Sequence, residues 1–366
     1  MSRNIDLHNA KRAKKDEFYT QLVDIENEMN AYLEYNPDMF RDKTILLPCD
    51  DPSWSNFTRY FITHFEELGL KKLISASHSQ QEKQQEEGLF HEESLQDTHA
   101  DVPRGKLFVL EYGDTLTNLD DIPFDYLEGD GNFRSDEITQ LRDEADMIIT
   151  NPPFSLFREF ISWLIAGEVE FSIIGNMNAI TYKEVFPLIK NNQVWLGSTI
   201  SSGDREFEVP GSYPLEAAGI RVDEQGKKYV RVKGVRWFTN IQHGKRNVAL
   251  PLTTMYDNMQ NNKKIMKNPK SYVKYDNYDA IEVPVTAGIP SDYDGIMGVP
   301  ISFLDKYCPE QFEILGITDR QNTSGLRTKK YTIEDSVKYN DLNARSVVCV
   351  NGEYQSTYAR ILIQPL

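Results

Sequence analysis

Hydrophobic residues in the first two hundred positions follow two rhythms that alternate. Short apolar runs read as buried strands: "KTILLP" (Lys43–Pro48), "KKLISAS" (Lys71–Ser77), "LFVLEY" (Leu107–Tyr112), "DMIIT" (Asp146–Thr150), "FSIIGN" (Phe171–Asn176) and "VWLG" (Val194–Gly197). Between them lie stretches with helical spacing. "SNFTRYFITHFEELG" puts Phe57, Tyr60, Phe61, Phe65 and Leu68 on one face, with Ser55 as N-cap and Gly69 as stop. "DEITQLRDEA" predicts a short helix, "SLFREFISWLIAG" a helix closed by Gly167, and "YKEVFPLIK" another. Strands separated by helices indicate an α/β fold with a doubly wound, mostly parallel sheet.

Two segments break this alternation. Residues 79–105 are rich in Gln and Glu with little periodicity, which predicts a polar surface insertion. After about Gly203 only short β-like runs such as "VRWFTNI" and "ARILI" remain, separated by turn residues and basic clusters. The expected organisation is a core over residues 1–200 and, over 201–366, the remaining core strands plus an irregular recognition region.

Composition changes this picture in three places. No apolar run approaches the roughly 20 residues that span a bilayer, and the first residues lack the apolar centre of a signal peptide, so a cytoplasmic protein is expected. Cys49, Cys308 and Cys349 are isolated, and the histidines of "HEESLQDTH" (His91–His99) sit in the polar insertion, so no metal site is expected. The net charge of −16 argues against a nucleic-acid partner until its distribution is examined. Ser79–Asp146 carries 19 acidic and 5 basic residues, whereas Ile220–Tyr275 carries 13 basic and 3 acidic. Such asymmetry points to a polyanion-binding face on an acidic protein.

The chemistry concentrates in "MIITNPPFSLF" (Met147–Phe157). Two consecutive prolines forbid a helix interior and a central strand, because each lacks an N–H and fixes φ. The strand must end near Thr150 and a helix can start only after Phe154. Asn151-Pro152-Pro153-Phe154 therefore stands at the carboxyl end of a strand, where open α/β sheets bind ligands. An exocyclic amine on an aromatic base is a poor nucleophile, its lone pair being delocalised into the ring. The Asn151 side-chain oxygen and the Pro152 carbonyl could accept its two N–H groups while the nitrogen becomes tetrahedral, and the prolines preset both acceptors. Phe154 could stack on the base.

This motif resembles the signature of the S-adenosylmethionine (SAM)-dependent amino-methyltransferases of DNA, (Asp/Asn/Ser)-Pro-Pro-(Tyr/Phe/Trp). Most of the chain, in order, is similar to the EcoRI-type adenine-N6 DNA methyltransferase family. The matching segments include "KKDEFYTQ…DIENE", "CDDPSWSNFTRYF", "GDGNFRS", "TNPPFSLFRE", "ITYKEVFPLIKNNQVWLG", "KYDNYDAI" and "GIMGVPISFL". The resemblance implies a seven-stranded-type SAM methyltransferase sheet with a C-terminal or inserted DNA-recognition region. It further implies that Phe18, Tyr19 and Thr20 hold the methionine end of SAM. The loop Cys49-Asp50-Asp51-Pro52 through Asn56 would bind the cofactor, with Asp50 or Asp51 on its ammonium, and Asp130 with Phe133 would meet its adenine. Two departures stand out. The family loop Asp-Pro-x-x-Gly-x-Gly is here Asp51-Pro52-Ser53-Trp54-Ser55-Asn56-Phe57, and the second strand ends in "SASHS" without the acidic residue that usually grips the ribose.

Reaching an adenine inside a duplex requires flipping it out, which contacts along the phosphates must offset. Arg158, Asn178, Arg231, Lys233 and Arg236 are the residues assigned to DNA, within a basic stretch from Arg221 to Lys274 for the last three. The expected partner is double-stranded DNA, with a monomer acting beside a cognate restriction endonuclease without a stable complex. The alternatives are methylation of another planar amine, cytosine N4 or an RNA adenine, and a catalytically silent DNA-binding relative.

Overall fold

The computed structural model describes residues 20–79, 104–114, 122–201, 204–209, 220–321 and 325–366. Phe18, Tyr19, most of the polar insertion and its His91–His99 cluster lie outside these residues. The chain forms two compact units, Met1–Met177 with Gly197–His243, and Asn178–Leu196 with Gly244–Leu366. The boundary expected at residue 200 falls inside the first unit.

The first unit supplies strands β1 (Thr44–Leu47), β2 (Lys72–Ala76), β3 (Lys106–Glu111), β4 (Asp125–Tyr126), β5 (Met147–Thr150) and β6 (Glu170–Asn176). A short β7 (Trp195–Leu196) belongs to the second unit, after which β8 (Asp204–Val209), β9 (Ile220–Val222), β10 (Lys228–Lys233) and β11 (Val235–Thr239) return to the first. Its sheet runs in the order β4-β3-β2-β1-β5-β6-β11. The centre, β2-β1-β5-β6, is parallel, and β3, β4 and β11 flank it antiparallel. "TILL" and "MIIT" are buried along their whole length. Unbroken apolar runs without alternation suit strands covered on both faces. With β1 and β5 side by side in parallel, Asp50 and Asn151 emerge at the same rim of the sheet.

Helices α1 (Leu22–Tyr35), α2 (Asn56–Thr63), α3 (Asp136–Glu144) and α4 (Phe157–Ala166) complete this unit with the antiparallel sheet β8-β10-β9. The N-cap expected at Ser55 forms, its hydroxyl accepting from the Phe57 and Thr58 amides. The helix closes at Thr63, and turns carry the chain to Gly69, whose φ of +63° ends the segment. Helix α5 (Phe186–Lys190) is shorter than the run "YKEVFPLIK" suggests, because Pro187 has no N–H and must occupy the first turn.

Helix α1 was not anticipated by the hydrophobic pattern. It buries Ile25, Glu28, Met29 and Tyr32, a stripe broken by a carboxylate. Glu28 accepts from the Ser198 and Thr199 amides, both at 2.9 Å, and from the Thr199 hydroxyl at 2.5 Å. A Cβ at Gly197 would lie 2.2 Å from Glu28 Oε1, so only glycine lets the backbone come this close. Burial pushes the Glu28 carboxyl up, and the donated hydrogen bonds oppose that shift. The Tyr32 hydroxyl meets Ser172 Oγ of β6 at 2.9 Å, pinning the same helix to the sheet.

In the second unit, helices α6 (Met255–Asn261) and α7 (Lys263–Met266) precede a sheet of β12 (Ile281–Glu282), β13 (Met297–Pro300), β14 (Phe312–Ile317) and β17 (Arg360–Pro365), ordered β12-β13-β17-β14. The hairpin β15 (Val347–Val350) and β16 (Glu353–Ser356) turns at Asn351-Gly352, both with positive φ, as a tight two-residue connection requires.

Glu28→Ala removes the buried acceptor of two half-buried amides and a hydroxyl. It is expected to cost roughly 2–4 kcal/mol of unfolding free energy in urea titrations, while Glu28→Gln, which keeps an acceptor, loses less.

Candidate active site

Five buried groups converge where β1 and β5 end. Asp50 lies at 5% exposure. Its Oδ1 accepts from Ser55 Oγ at 2.7 Å, and its Oδ2 accepts from Thr150 Oγ1 at 2.6 Å. Its carbonyl accepts from Ser75 Oγ of β2 at 2.7 Å, and that hydroxyl also meets Thr58 Oγ1 of α2. One carboxylate thus joins the loop after β1, the N-terminus of α2 and the residue directly before Asn151.

The loop itself is built by side chains where the related family uses glycines. Ser55 caps α2 and also donates to Asp50. Asn56 Nδ2 donates to the Thr20 carbonyl at 2.8 Å, fastening the segment before α1 to the loop. Asp51 is buried; its Oδ1 accepts from the Ser53 amide at 2.8 Å and its Oδ2 from Lys106 Nζ at 3.3 Å. Pro52 is buried, and Cys49 is a half-buried thiol at the loop's start. The Thr20 hydroxyl is buried with no hydrogen-bond partner among the described residues. Such a group calls for a polar ligand atom.

The loop "GDGNF" folds against the end of β2. Ser79 N donates to the Asp130 carbonyl at 2.8 Å, and Gly105 N to the Gly129 carbonyl at 3.0 Å. Gly131 has φ of +76°, and a Cβ there would sit 2.1 Å from the Ser77 carbonyl oxygen. The Asp130 carboxylate is half exposed, 3.4 Å from His78 Nε2. Phe133 points the other way: its ring is buried against Phe160 (5.0 Å) and Trp163 (5.7 Å) of α4.

The Asn151–Phe154 corner has the shape expected from its prolines. Pro152 is buried, Asn151, Pro153 and Phe154 are half-buried, and a 3-10 turn over Phe154–Leu156 leads into α4. Leu156 N donates to the Pro153 carbonyl at 2.9 Å. Phe154 packs on the main core, and Phe157 anchors the turn. The Phe157 ring meets Phe238 at 5.0 Å, and a Cβ at Gly175 would be 2.4 Å from it, so β6 needs glycine where the ring crosses. The corner is held rigid from beneath by packing and from the side by the Thr150–Asp50 hydrogen bond.

The residues assigned to DNA fare differently. Arg158 is half-buried on the first turn of α4. Asn178 is exposed in the turn Met177–Thr181, and its carbonyl accepts from Thr181 Oγ1. Asn176, another residue at that strand end, donates through Nδ2 to the Lys233 carbonyl at 3.0 Å. Arg236 must be corrected: it is 4% exposed in β11, its guanidinium donating to the Val235 and Ser201 carbonyls, so it offers no phosphate contact. Arg231 is exposed but paired with Asp204 at 2.9 Å. Arg221 pairs with Glu206 at 2.9 Å and Lys227 with Glu208 at 3.2 Å. The charges of Arg221, Lys227 and Arg231 are therefore offset across the sheet by β8. Lys233 is exposed at the end of β10. Among the described residues no group of three or more His, Cys, Asp or Glu could hold a metal, and no helix is long and apolar enough to cross a membrane.

Sequence reasoning placed Asp50 and Asn151 but missed Thr150, Ser75 and Lys106, which link and charge the site. The available signal was a polar residue within or beside each apolar run.

Burial pushes the Asp50 carboxyl up to about 7; the hydrogen bonds from Ser55 and Thr150 oppose the shift, and the charge of Asp51 adds to it. A folded-state value above the unfolded one favours the protonated form. Its stabilisation is complete below the unfolded value near 3.8 and is lost as pH rises through about 7. Asp50→Asn is expected to flatten the fall in melting temperature between about pH 4 and 8, measured against the unaltered chain by calorimetry.

Comparison with known proteins gives the family. The family model described as "Adenine-specific methyltransferase EcoRI" matches residues 6–365. The chain is 44% identical to the Type II methyltransferase M.EcoRI of Escherichia coli over 84% of this chain and 88% of that one. It is 32% identical to the Type II methyltransferase M.MgeORF184P of Mycoplasma genitalium over 97% of each chain. It is 32% identical to the Type II methyltransferase M.MpnI of Mycoplasma pneumoniae over 84% of this chain and 83% of the relative. No solved structure matches.

Proposed function

The chain belongs to the EcoRI family of adenine-specific methyltransferases, and on that premise we propose that it methylates adenine N6 at a short specific site in duplex DNA, with SAM as donor. The reading is carried by one observation: the Asn-Pro-Pro-Phe corner and the loop after β1 share a rim and are tied through Asp50.

SAM, when bound, supplies a methyl group on a sulfonium. The residues present suit such a group: the Thr20 hydroxyl awaits a partner, the Asp51 carboxylate lies in the loop, and Asp130 is half exposed beside the end of β2. Phe18 and Tyr19 adjoin Thr20 in sequence and are proposed to complete the methionine end. Cys49, Pro52 and Asn56 shape the loop, and Phe133 supports Asp130 from within the core. Asp50 has both carboxylate oxygens occupied by hydroxyl donors, so it acts by positioning. Asp51, which accepts from the Ser53 amide and Lys106, is proposed to complete the charge of the loop that receives the ammonium.

The target adenine leaves the stack at a cost of roughly a few kcal/mol. Asn151 Oδ1 and the Pro152 carbonyl accept its two amino protons, which favours the tetrahedral, positively charged nitrogen over the planar one. Pro153 fixes the entry to the 3-10 turn and Phe154 offers a ring face. Acceptors locked by two prolines and a buried hydrogen bond need little reorganisation during the reaction. Arg158, Asn178 and Lys233 are proposed to contact the strand that carries the flipped base. We place the enzyme in the cytoplasm as a monomer that protects DNA from a cognate endonuclease without a stable complex.

Asn151→Ala is expected to lower the rate of methyl transfer by about 10²–10³-fold, the effect of removing one preorganised transition-state partner. The measurement is incorporation of labelled methyl into a duplex, followed by position-resolved sequencing for N6-methyladenine. Unchanged turnover would refute the role of Asn151. Titration calorimetry with SAM separates an enzyme from a silent relative, which would give no heat.

A further inference from the structure

The second unit contains a cleft of about 450 Å³ that none of the roles above uses. Asn268 and Lys270 form one wall, and Ser356, Thr357 and Tyr358, at the end of hairpin β15–β16 and just beyond it, form the other. Its floor is a buried ion pair. Arg360 Nη2 donates to Glu282 Oε1 at 2.6 Å, Nε donates to both carboxylate oxygens at 3.1 Å, and the Tyr275 hydroxyl also donates to Glu282. The floor is therefore neutral and rigid, and the walls decide what the cleft attracts.

Of the wall side chains Lys270 alone is charged, and the segment that supplies it is rich in lysine. From Asn258 to Tyr275 the chain carries Lys263, Lys264, Lys267, Lys270 and Lys274 and no acidic residue. Lys274 pairs with Asp279 at 2.6 Å. The other four make no ion pair among the described residues, unlike Arg221, Lys227 and Arg231 of the first unit. Lys264 and Lys267 are exposed. Their backbone is nonetheless fixed. Ile265 is fully buried against Gly288, where a Cβ would lie 2.4 Å from its Cδ1. Asn262 caps α7 and donates to the Ala287 carbonyl, and Ser271 Oγ donates to the Ile265 carbonyl at 2.8 Å. Across the cleft Tyr358 is 86% exposed, carrying a hydroxyl and a ring.

We infer that this cleft, with the lysine-rich segment that supplies Lys270, is a binding subsite for the phosphodiester backbone of duplex DNA. Ammonium, amide, hydroxyl and phenol groups on a fixed concave backbone are the donors that DNA-binding proteins direct at phosphate oxygens. Unpaired lysines release counterions when they meet phosphates, whereas arginines already neutralised across a sheet contribute little. The inference rests on the duplex-DNA reading given above and names where much of the sequence-independent affinity arises.

The test uses the full chain, an adenine-containing duplex of about 20 base pairs, and single-stranded RNA of the same sequence. Affinities are measured by fluorescence anisotropy across a range of salt. Lys264→Gln, Lys267→Gln and Lys270→Gln combined are expected to weaken duplex binding by at least roughly tenfold and to reduce the salt slope by about 0.9 for each phosphate no longer neutralised. Tyr358→Phe and Tyr358→Ala are expected to weaken binding, the alanine variant more severely. The melting temperature and SAM affinity of each variant, measured in parallel, are expected to match the unaltered chain and so exclude misfolding. A full salt slope in the triple variant, with duplex binding and methylation intact, would overturn the subsite and leave the methyltransferase reading standing. A lysine-dependent salt slope without any methyl transfer would uphold the subsite and overturn that reading. Tighter binding of the RNA than of the duplex, abolished in the same variants, would overturn the duplex assignment.

Discussion

Taking a carboxylate out of water is unfavourable unless its oxygens are satisfied, and at Asp50 that satisfaction organises the site. Each oxygen takes a hydroxyl donor from a different element, Ser55 at the head of α2 and Thr150 at the end of β5. The loop expected to cradle the cofactor and the corner expected to hold the base are thus set relative to each other by one buried group. Shifting either by about an ångström would strand a lone pair in a low-dielectric interior. Asp50 thus aligns the Asn-Pro-Pro-Phe corner, to which the chemistry is assigned by proposal, with the loop after β1.

The same economy explains the missing glycines. In related sequences glycine lets the loop backbone approach a ligand closely. Here Ser55 and Phe57 occupy those positions, and hydrogen bonds along the loop take over the stiffening. Ser53 N binds Asp51, Ser55 binds Asp50, and Asn56 reaches the Thr20 carbonyl. Close backbone approach occurs elsewhere instead. Gly131 passes the Ser77 carbonyl, Gly175 passes the Phe157 ring, and Gly197 passes Glu28. Each of these close approaches bears on an element that frames the site.

Charge illustrates the limit of counting along a chain. Arg221, Lys227 and Arg231 stand out in a linear tally, yet β8 brings Glu206, Glu208 and Asp204 against them. Pairing between strands turns a basic stretch into a nearly neutral sheet. The lysines Lys263, Lys264, Lys267 and Lys270 make no ion pair among the described residues.

The pattern of apolar runs was enough to locate β1, β2, β3, β5, β6 and α4, because runs of buried residues and proline steric rules act locally. It also fixed the corner at Asn151, since two prolines permit few backbone paths. Helix α1 escaped, because Glu28 interrupts its apolar stripe and is tolerated only through amides 170 and 171 positions away. Arg236 was misread for the same reason: burial in β11 depends on neighbours that no local window contains. Local sterics and hydrophobic periodicity are written in the sequence itself. Which polar groups are satisfied, and which charges are cancelled, depends on distant segments and was decided only when the chain folded.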